Sequence, residues 1–261
     1  MLTPTVLVLA ATLIPSVPVI SVPATLPVLA QVPANPQAPK SPANPRRPLW
    51  QLAVDVGNDF KHLPSITAAE WLAAGGAAAL AVHPFDDDVN RHLVGKDWVD
   101  AVFAPGKVIG YGATQFAVAA TTMFWGRARK EPKVVHLGTD LLRAQIETQL
   151  VTLAIKESVR RERPDKSGGF SFPSGHASVT FASATVLERH LGWRALPAYV
   201  VASYVAASRL HENRHFLSDV VFGAAVGAVC GRNITRHGRD TWAMTPVVVP
   251  GTIAIIVARR N

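Results

Sequence analysis

Three groups of residues in this chain combine side chains able to hold an anionic group and transfer it. The first is basic: Lys156, Arg160, Arg161 and Arg163, followed by Pro164. Lys156 and Arg160 are four apart, so on a helix they share a face, whereas Pro164 disfavours helical geometry at Arg163 and releases it into a loop. One cation on a helix and one in a loop can grip a single anion from two sides. The same run also fits a solvated basic helix end that complements the macrodipole.

The second group is Phe170 to His176, Phe-Ser-Phe-Pro-Ser-Gly-His. Pro173 fixes a turn, Ser174 can cap a helix or donate to an oxyanion, Gly175 lets a backbone N–H come close to a ligand, and His176 can give or take a proton near neutral pH. A helix that opens here aims unpaired N–H groups at whatever anion His176 serves. The third group is Ser208, Arg209, His215 and Asp219. At a spacing of four, the Asp219 carboxylate can reach one ring nitrogen of His215, fix the tautomer and leave the other nitrogen free to attack. It can equally be a structural hydrogen bond. Arg209 offers a planar fork suited to phosphate oxygens.

The elements that must position these groups follow from the hydrophobic pattern. Residues 1–30 carry no charged side chain, are rich in Leu, Val and Ala and end in Val28-Leu29-Ala30, which reads as a signal peptide or an uncleaved apolar leader. Residues 31–48 place Pro33, Pro36, Pro39, Pro42, Pro45 and Pro48 at every third position, the pattern of an extended polyproline linker. The folded domain is expected over 49–234, beginning near Leu49 and Trp50. Ser65 can cap an alanine-rich helix over Ala68–Val82, whose Gly75 and Gly76 permit close approach of a neighbour. Asp86, Asp87 and Asp88 then read as a solvated turn and helix start, because the carboxylate spacing of a calcium loop is missing.

A second, uncharged helix is predicted over Val108–Gly126, the one stretch beyond the leader of bilayer-spanning length. Further helices are predicted over Thr139–Val159, Gly175–Leu191, Ala195–Arg209 and Phe216–Asn233. Over 235–261, Met244–Val249 and Thr252–Val257 flank Pro250-Gly251 as a β-hairpin. The fold class is therefore all-α, a six-helix bundle with a short C-terminal hairpin.

Composition narrows the partners. With 49% hydrophobic residues the chain can bury a core, and a net charge of +8 favours an anionic partner. Basic residues are interspersed with acidic ones and only 7% of residues are aromatic, so nucleic acid ranks last. The lone Cys230 excludes a disulfide framework within the chain.

The three groups, in this order and spacing, resemble the three-part signature of the type 2 phosphatidic acid phosphatase (PAP2) and vanadium haloperoxidase superfamily: Lys156 with Arg163-Pro164, then Pro173-Ser174-Gly175-His176, then Ser208-Arg209 with His215 and Asp219. The resemblance covers roughly Ser65 to Asn233. It implies that His215 attacks phosphorus, that Asp219 orients it, and that His176 protonates the departing oxygen. Lys156, Arg163, Ser174, Gly175 and Arg209 would hold the phosphate oxygens. It implies a phosphatase acting on a phosphomonoester or pyrophosphate, with a lipid such as phosphatidate or a polyprenyl pyrophosphate as the substrate class. No cofactor and no metal are expected, and no zinc pattern is legible: His211 and His215 are four apart but lack the Glu of a zincin, which leaves His211 as a rim residue. A membrane surface or bilayer is the expected partner, and the leader implies export to the periplasm or cell envelope. The alternatives are a vanadate-dependent haloperoxidase on the same site and a non-enzymatic exported basic binding protein.

Overall fold

The computed structural model describes residues 7–12, 48–94, 97–235, 243–249 and 252–258, with the side chains of 48–94 and 99–235. The chain divides into two units, Ser41–Arg236 and a smaller one made of Met1–Lys40 with His237–Asn261.

The larger unit is helical. Its α-helices are α1 (Trp50–His62), α2 (Ile66–Val82), α3 (Asp86–Leu93), α4 (Asp97–Ile109), α5 (Gly112–Arg129), α6 (Pro132–Val159), α7 (Gly175–Leu191), α8 (Leu196–His211) and α9 (Leu217–Ile234). Local chemistry sets several ends. Ser65 accepts a hydrogen bond from the Ala68 N–H at 3.2 Å and starts α2. Pro132 occupies the first turn of α6, where its missing N–H costs nothing. Lys130 and Arg160 stop α5 and α6 in the left-handed conformation, at φ 57° and 48°.

The most extensive helix–helix contact among the described residues is that of α7 with α9, and glycine makes it possible. Gly223, Gly227 and Gly231 recur every four residues along one face of α9. A Cβ at Gly223 would sit 2.7 Å from the Ser174 carbonyl oxygen, one at Gly231 would sit 2.8 Å from Thr185 Cβ, and one at Gly227 would collide with the Ser178 carbonyl. With no side chain in the way the two backbones touch, as in small-residue helix contacts generally. The consequence reaches the ends of both helices: the Ser174 N–H, at the mouth of α7, donates to the Asp219 carbonyl in the first turn of α9 at 2.9 Å. On the other side of α9, Gly75 of α2 faces Ala225 with no room for a Cβ, the close approach expected of that glycine. Ala119, Met123, Val135, Leu141, Leu142, Ala144, Val186 and Ile234 form the principal buried cluster.

Several expectations are corrected. The helical unit has nine α-helices among the described residues, not six. The additional ones are α1, which is low in overall hydrophobicity, the eight-residue α3, and α4, which contains Pro105. The helix expected over Val108–Gly126 is broken: α4 ends at Ile109 and α5 starts at Gly112, with Tyr111 extended between them (φ −69°, ψ 130°). At the break Gly110 passes so close to Val205 and His176 that a Cβ there would lie 2.8 Å from His176 Cδ2.

That stretch is therefore split between two helices and does not form one uninterrupted helix of spanning length. The two helical stretches long and apolar enough to cross a bilayer, among the described residues, are Ile66–Leu93 and Leu217–Ile234. The first is only 17% buried, the second 61% buried and part of the core. Large apolar side chains including Val108, Phe116, Phe124, Trp125, Leu150 and Val200 are exposed on the outer faces of α4, α5, α6 and α8.

In the smaller unit, Leu7–Thr12 (β1), Ala243–Val249 (β2) and Thr252–Ala258 (β3) form an antiparallel sheet in the order β1-β3-β2. The C-terminal segments thus belong to a three-stranded sheet instead of a free-standing two-stranded hairpin. The rest of the expected leader and the proline-rich linker up to residue 47 lie outside the described residues.

Candidate active site

The site is assembled where α6 ends and α7, α8 and α9 meet. Past Val159 the chain folds back on itself: the Arg163 N–H donates to the Gly168 carbonyl at 3.1 Å and the Ser171 N–H to the Arg161 carbonyl at 2.8 Å. This loop is laced to the one before α9. The Asp165 N–H donates to the Asn213 carbonyl at 3.2 Å, and Arg214 Nη1 lies 3.1 Å from Asp165 Oδ2. The loop carrying Arg163 and the loop carrying His215 are therefore one structural body.

His215 is buried, and it stands two residues before α9, where Phe216 is the N-cap. Its Nδ1 lies 2.7 Å from the Ser171 carbonyl oxygen. A carbonyl only accepts, so Nδ1 carries the proton and Nε2 presents its lone pair. Asp219, four residues on and expected to fix this tautomer, does not do so: its Oδ2 is 3.7 Å from Nδ1, beyond hydrogen-bond reach. The reason is that His215 is outside the helix, while Asp219 is inside it and its carboxylate is already occupied. Oδ2 accepts from the Phe216 N–H at 2.8 Å and from the Ser171 hydroxyl, and Oδ1 accepts from Arg161 Nη1 at 2.8 Å. Asp219 holds Ser171, and Ser171 holds His215. Burial keeps His215 below the ordinary histidine range, with Lys156 acting the same way against Asp219 and the Ser171 carbonyl.

His176 occupies the first turn of α7. Ser174 is its N-cap: the hydroxyl accepts from the Ala177 N–H at 3.5 Å, which leaves the hydroxyl proton available to an anion. The Phe172-Pro173 peptide bond ahead of it is cis. His176 Nε2 is 3.3 Å from the Lys107 carbonyl and 3.4 Å from Arg209 Nη1. One neighbour calls for an N–H and the other for a lone pair, so neither contact fixes the tautomer. Burial, then Arg209 and His215, push its pKa down to about 4.

Lys156 reaches across from the last turn of α6, donating to the Phe170 carbonyl and, at 3.5 Å, to that of Ser171. Burial, with Arg163 nearby, lowers its pKa to about 8 against the opposing pull of Asp219. Arg163 is half-buried; its Nη1 is 3.4 Å from Ser167 Oγ, and its Nε is buried without a hydrogen-bond partner. Arg209 is buried, and its Nη2 is held by the Glu212 carboxylate. Ser208 Oγ donates to the Val205 carbonyl at 2.7 Å. Gly175 has nothing nearer than 3.9 Å to the position of a Cβ, so crowding does not dictate glycine there. An open groove of about 550 Å³ borders the site, lined by Arg163, Pro164, Asn213 and Phe216 on one side and by α3 on the other.

Three sequence readings change here. Arg160 does not share a helical face with Lys156, because α6 stops at Val159; it is exposed and pairs with Glu157 at 3.3 Å. Asp86 is not solvated. It is buried, and its carboxylate receives the Ser218 N–H at 2.8 Å, the Ser218 hydroxyl at 2.6 Å and Arg161 Nη2 at 2.9 Å. His211 is not a rim residue: it is buried, with Nδ1 2.7 Å from the Leu93 carbonyl and Nε2 2.6 Å from Asp100 Oδ1.

The sequence reading also missed the frame behind His215. Arg161 bridges Asp86 and Asp219 and lies over the Phe216 ring at 4.0 Å. Asn90 on α3 donates to Asn213 Oδ1 at 2.9 Å and to the His215 carbonyl at 3.4 Å. The partners are far apart in sequence, so no spacing rule pairs them.

Comparison with known proteins bears on the same residues. A sequence model of the PAP2 superfamily matches residues 108–242. Over 80 residues the chain is 44% identical to the lipid A 1-phosphatase of Porphyromonas gingivalis, a match covering 29% of this chain and 18% of that protein. Over 121 residues it is 35% identical to the decaprenylphosphoryl-5-phosphoribose phosphatase of Mycobacterium tuberculosis, covering 43% of this chain and 64% of that one. Both matches span less than two thirds of the relative. Over 172 residues it is 28% identical to phosphatidylglycerophosphatase B of Bacillus subtilis, covering 56% of this chain and 80% of that protein.

Proposed function

The chain belongs to the PAP2 superfamily, and from that premise we propose that it is a metal-independent phosphatase that removes a phosphoryl group from a lipid phosphomonoester or pyrophosphate through a phosphohistidine. The observation that carries the reading is the orientation of His215, whose Nδ1–H is spent on the Ser171 carbonyl at 2.7 Å so that the Nε2 lone pair is presented.

In the first half-reaction Nε2 attacks phosphorus, the P–N bond forms and the P–O bond to the lipid oxygen breaks. That oxygen takes a proton from His176. In the second half-reaction a water attacks phosphorus and gives its proton to His176. The P–N bond breaks, and inorganic phosphate leaves with His215 restored. Lys156, Arg163 and Arg209, with the Ser174 hydroxyl and the Gly175 N–H, stabilise the equatorial oxygens as charge develops. A His176 pKa of about 4 leaves the ring neutral in the empty site at neutral pH. A bound phosphate, placed among these cations, opposes the Arg209 repulsion and raises the basicity of His176 toward the range of a useful acid.

A lipid substrate is supported by the exposed apolar faces of α4, α5, α6 and α8 and by the lipid phosphates named in the relatives. These faces fit a membrane around the helical domain at 49–234, and the apolar leader fits an address in the periplasm or cell envelope.

Purified protein assayed with phosphatidate, a polyprenyl pyrophosphate and a soluble phosphomonoester tests the proposal. Phosphate release in the presence of EDTA, with lipid esters turned over faster than the soluble one and a phosphoryl group trapped on His215, is expected. A folded protein that releases phosphate from none of them overturns it.

A further inference from the structure

Far from the site just described, α6 and α7 meet again. They run antiparallel, so the start of α6 faces the end of α7. His136 lies about 20 residues before Lys156 on the same helix, or ~30 Å along its axis. There His136 and Asp140 of α6 converge with His190 of α7: one ligand atom from each lies within 4.8 Å of the others. His136 Nε2 is 3.3 Å and His190 Nε2 is 2.9 Å from the same oxygen, Asp140 Oδ2.

We propose that His136, Asp140 and His190 form a binding site for one divalent transition-metal ion, zinc first, independent of the phosphoryl-transfer chemistry.

Four features support it. Two imidazole nitrogens and one carboxylate oxygen are a donor set that suits zinc among the common divalent ions. Arms of about 2.0–2.1 Å in a tetrahedral zinc site place neighbouring ligand atoms roughly 3.3 Å apart; the two histidine–carboxylate separations are 3.3 and 2.9 Å, and the two imidazole nitrogens lie within 4.8 Å of each other. The carboxylate is buried and already oriented, because Arg143 Nη1 donates to the other oxygen, Asp140 Oδ1, at 3.1 Å. Arg143 is itself fixed by Asp59 on α1 through a 2.8 Å contact from Nε. Such support of a ligating carboxylate from behind is what metal sites require. Finally, the His136 side chain is 45% exposed, which gives an ion a way in and leaves room for a water as fourth ligand.

No zinc pattern is legible in the sequence because the ligands are not all closely spaced. His136 and Asp140 are four apart, but the third ligand is 50 residues further on and reaches them only through the α6–α7 packing. A metal here would clamp the two helices that carry Lys156 and His176 at their other ends. Its effect would be on stability and not on the reacting atoms.

The test uses the full chain without a histidine tag, stripped with chelator and passed through a desalting column. Zinc titrated back should bind at one equivalent and raise the midpoint of thermal unfolding. Cobalt(II) should give the visible absorption of a low-coordinate site. His136→Ala and His190→Ala should each weaken zinc binding at least tenfold and abolish the cobalt spectrum, with the zinc-free unfolding midpoint recorded for each. His136 is half-exposed, so its variant folds whether or not a metal binds. Absence of stoichiometric zinc binding, or binding unchanged in both variants, overturns the proposal.

Discussion

His215 Nδ1 lies 2.7 Å from the Ser171 carbonyl oxygen, and it is this backbone group, not a side-chain carboxylate, that sets which ring nitrogen is free. Asp219, at 3.7 Å, supports the ring field and the Ser171 hydroxyl. Asp219→Asn should therefore lower kcat modestly, roughly 10- to 100-fold, because the tautomer survives. His215→Ala should lower it by at least ~10⁴-fold, since no nucleophile is left. Steady-state kinetics on the two variants, with circular dichroism to show that both fold, checks the difference. Equal losses would mean that Asp219 itself holds the ring in the working enzyme.

Arg161 ties three elements together, with Asp86 at 2.9 Å and Asp219 at 2.8 Å and Ser218 Oγ at 2.7 Å. Both carboxylates are buried, so removing the cation leaves two uncompensated charges near each other. Breaking such a pair costs about 3–5 kcal/mol when fully buried, and the partial exposure of Arg161 places the expected loss for Arg161→Ala at the lower end, about 3 kcal/mol. A combined Asp86→Asn change removes one of the stranded charges and should recover part of it. Chemical unfolding of the single and double variants measures the coupling.

Glu212 holds the Arg209 fork that the proposed reaction needs for phosphate oxygens. In the proposed site Glu212 competes with phosphate for Arg209 Nη2 and so would lower the affinity for an anion there. Glu212→Gln should strengthen competitive inhibition by inorganic phosphate about 3- to 10-fold, with kcat changed less than KM. An inhibition constant that is unchanged or weaker would place Arg209 outside the phosphate site.

Lys156 has its pKa lowered to about 8, first by burial and then by Arg163. Below that pH the ammonium is present for its proposed role on phosphate, and above it the charge is lost. The value of kcat/KM, which reports the free enzyme, should thus fall as pH rises past 8, by about tenfold per pH unit once well beyond it. Lys156→Arg keeps the cation charged throughout and should move this limb above pH 10. An alkaline limb unmoved in the variant would assign it to another group.

The sequence carried the parts of this protein that depend on near neighbours. The ends of α7 at Gly175 and Leu191 and the early stop of α6 before Arg163 follow from caps and from Pro164, which act within a few residues. The pairing of Arg161 with Asp86 was not legible, since 75 residues separate them and each sat in a like-charged run that reads as solvated. The distance of Asp219 from His215 was misjudged for a different reason: a spacing of four implies contact only if both residues are helical, and His215 is not. The break at Gly110 lies beside His176 and Val205, neighbours that only the tertiary packing brings there.

The same tertiary closeness gives a final expectation. Gly227 sits at the centre of the α7–α9 contact, where a Cβ would collide with the Ser178 carbonyl and lie 2.8 Å from the Ala182 nitrogen. Both obstacles are helix backbone and cannot rotate away. Gly227→Ala should force the helices apart and cost about 1–3 kcal/mol despite the better helix propensity of alanine. The displacement would be felt at the mouth of α7, where the Ser174 N–H donates to the Asp219 carbonyl. Activity should therefore fall along with the thermal midpoint. Gly57→Ala is the control, because nothing lies within 4 Å of a Cβ there. On helix α1 it should leave activity unchanged and the midpoint equal or slightly higher. If the two variants behave alike, the close α7–α9 approach is not what positions the site.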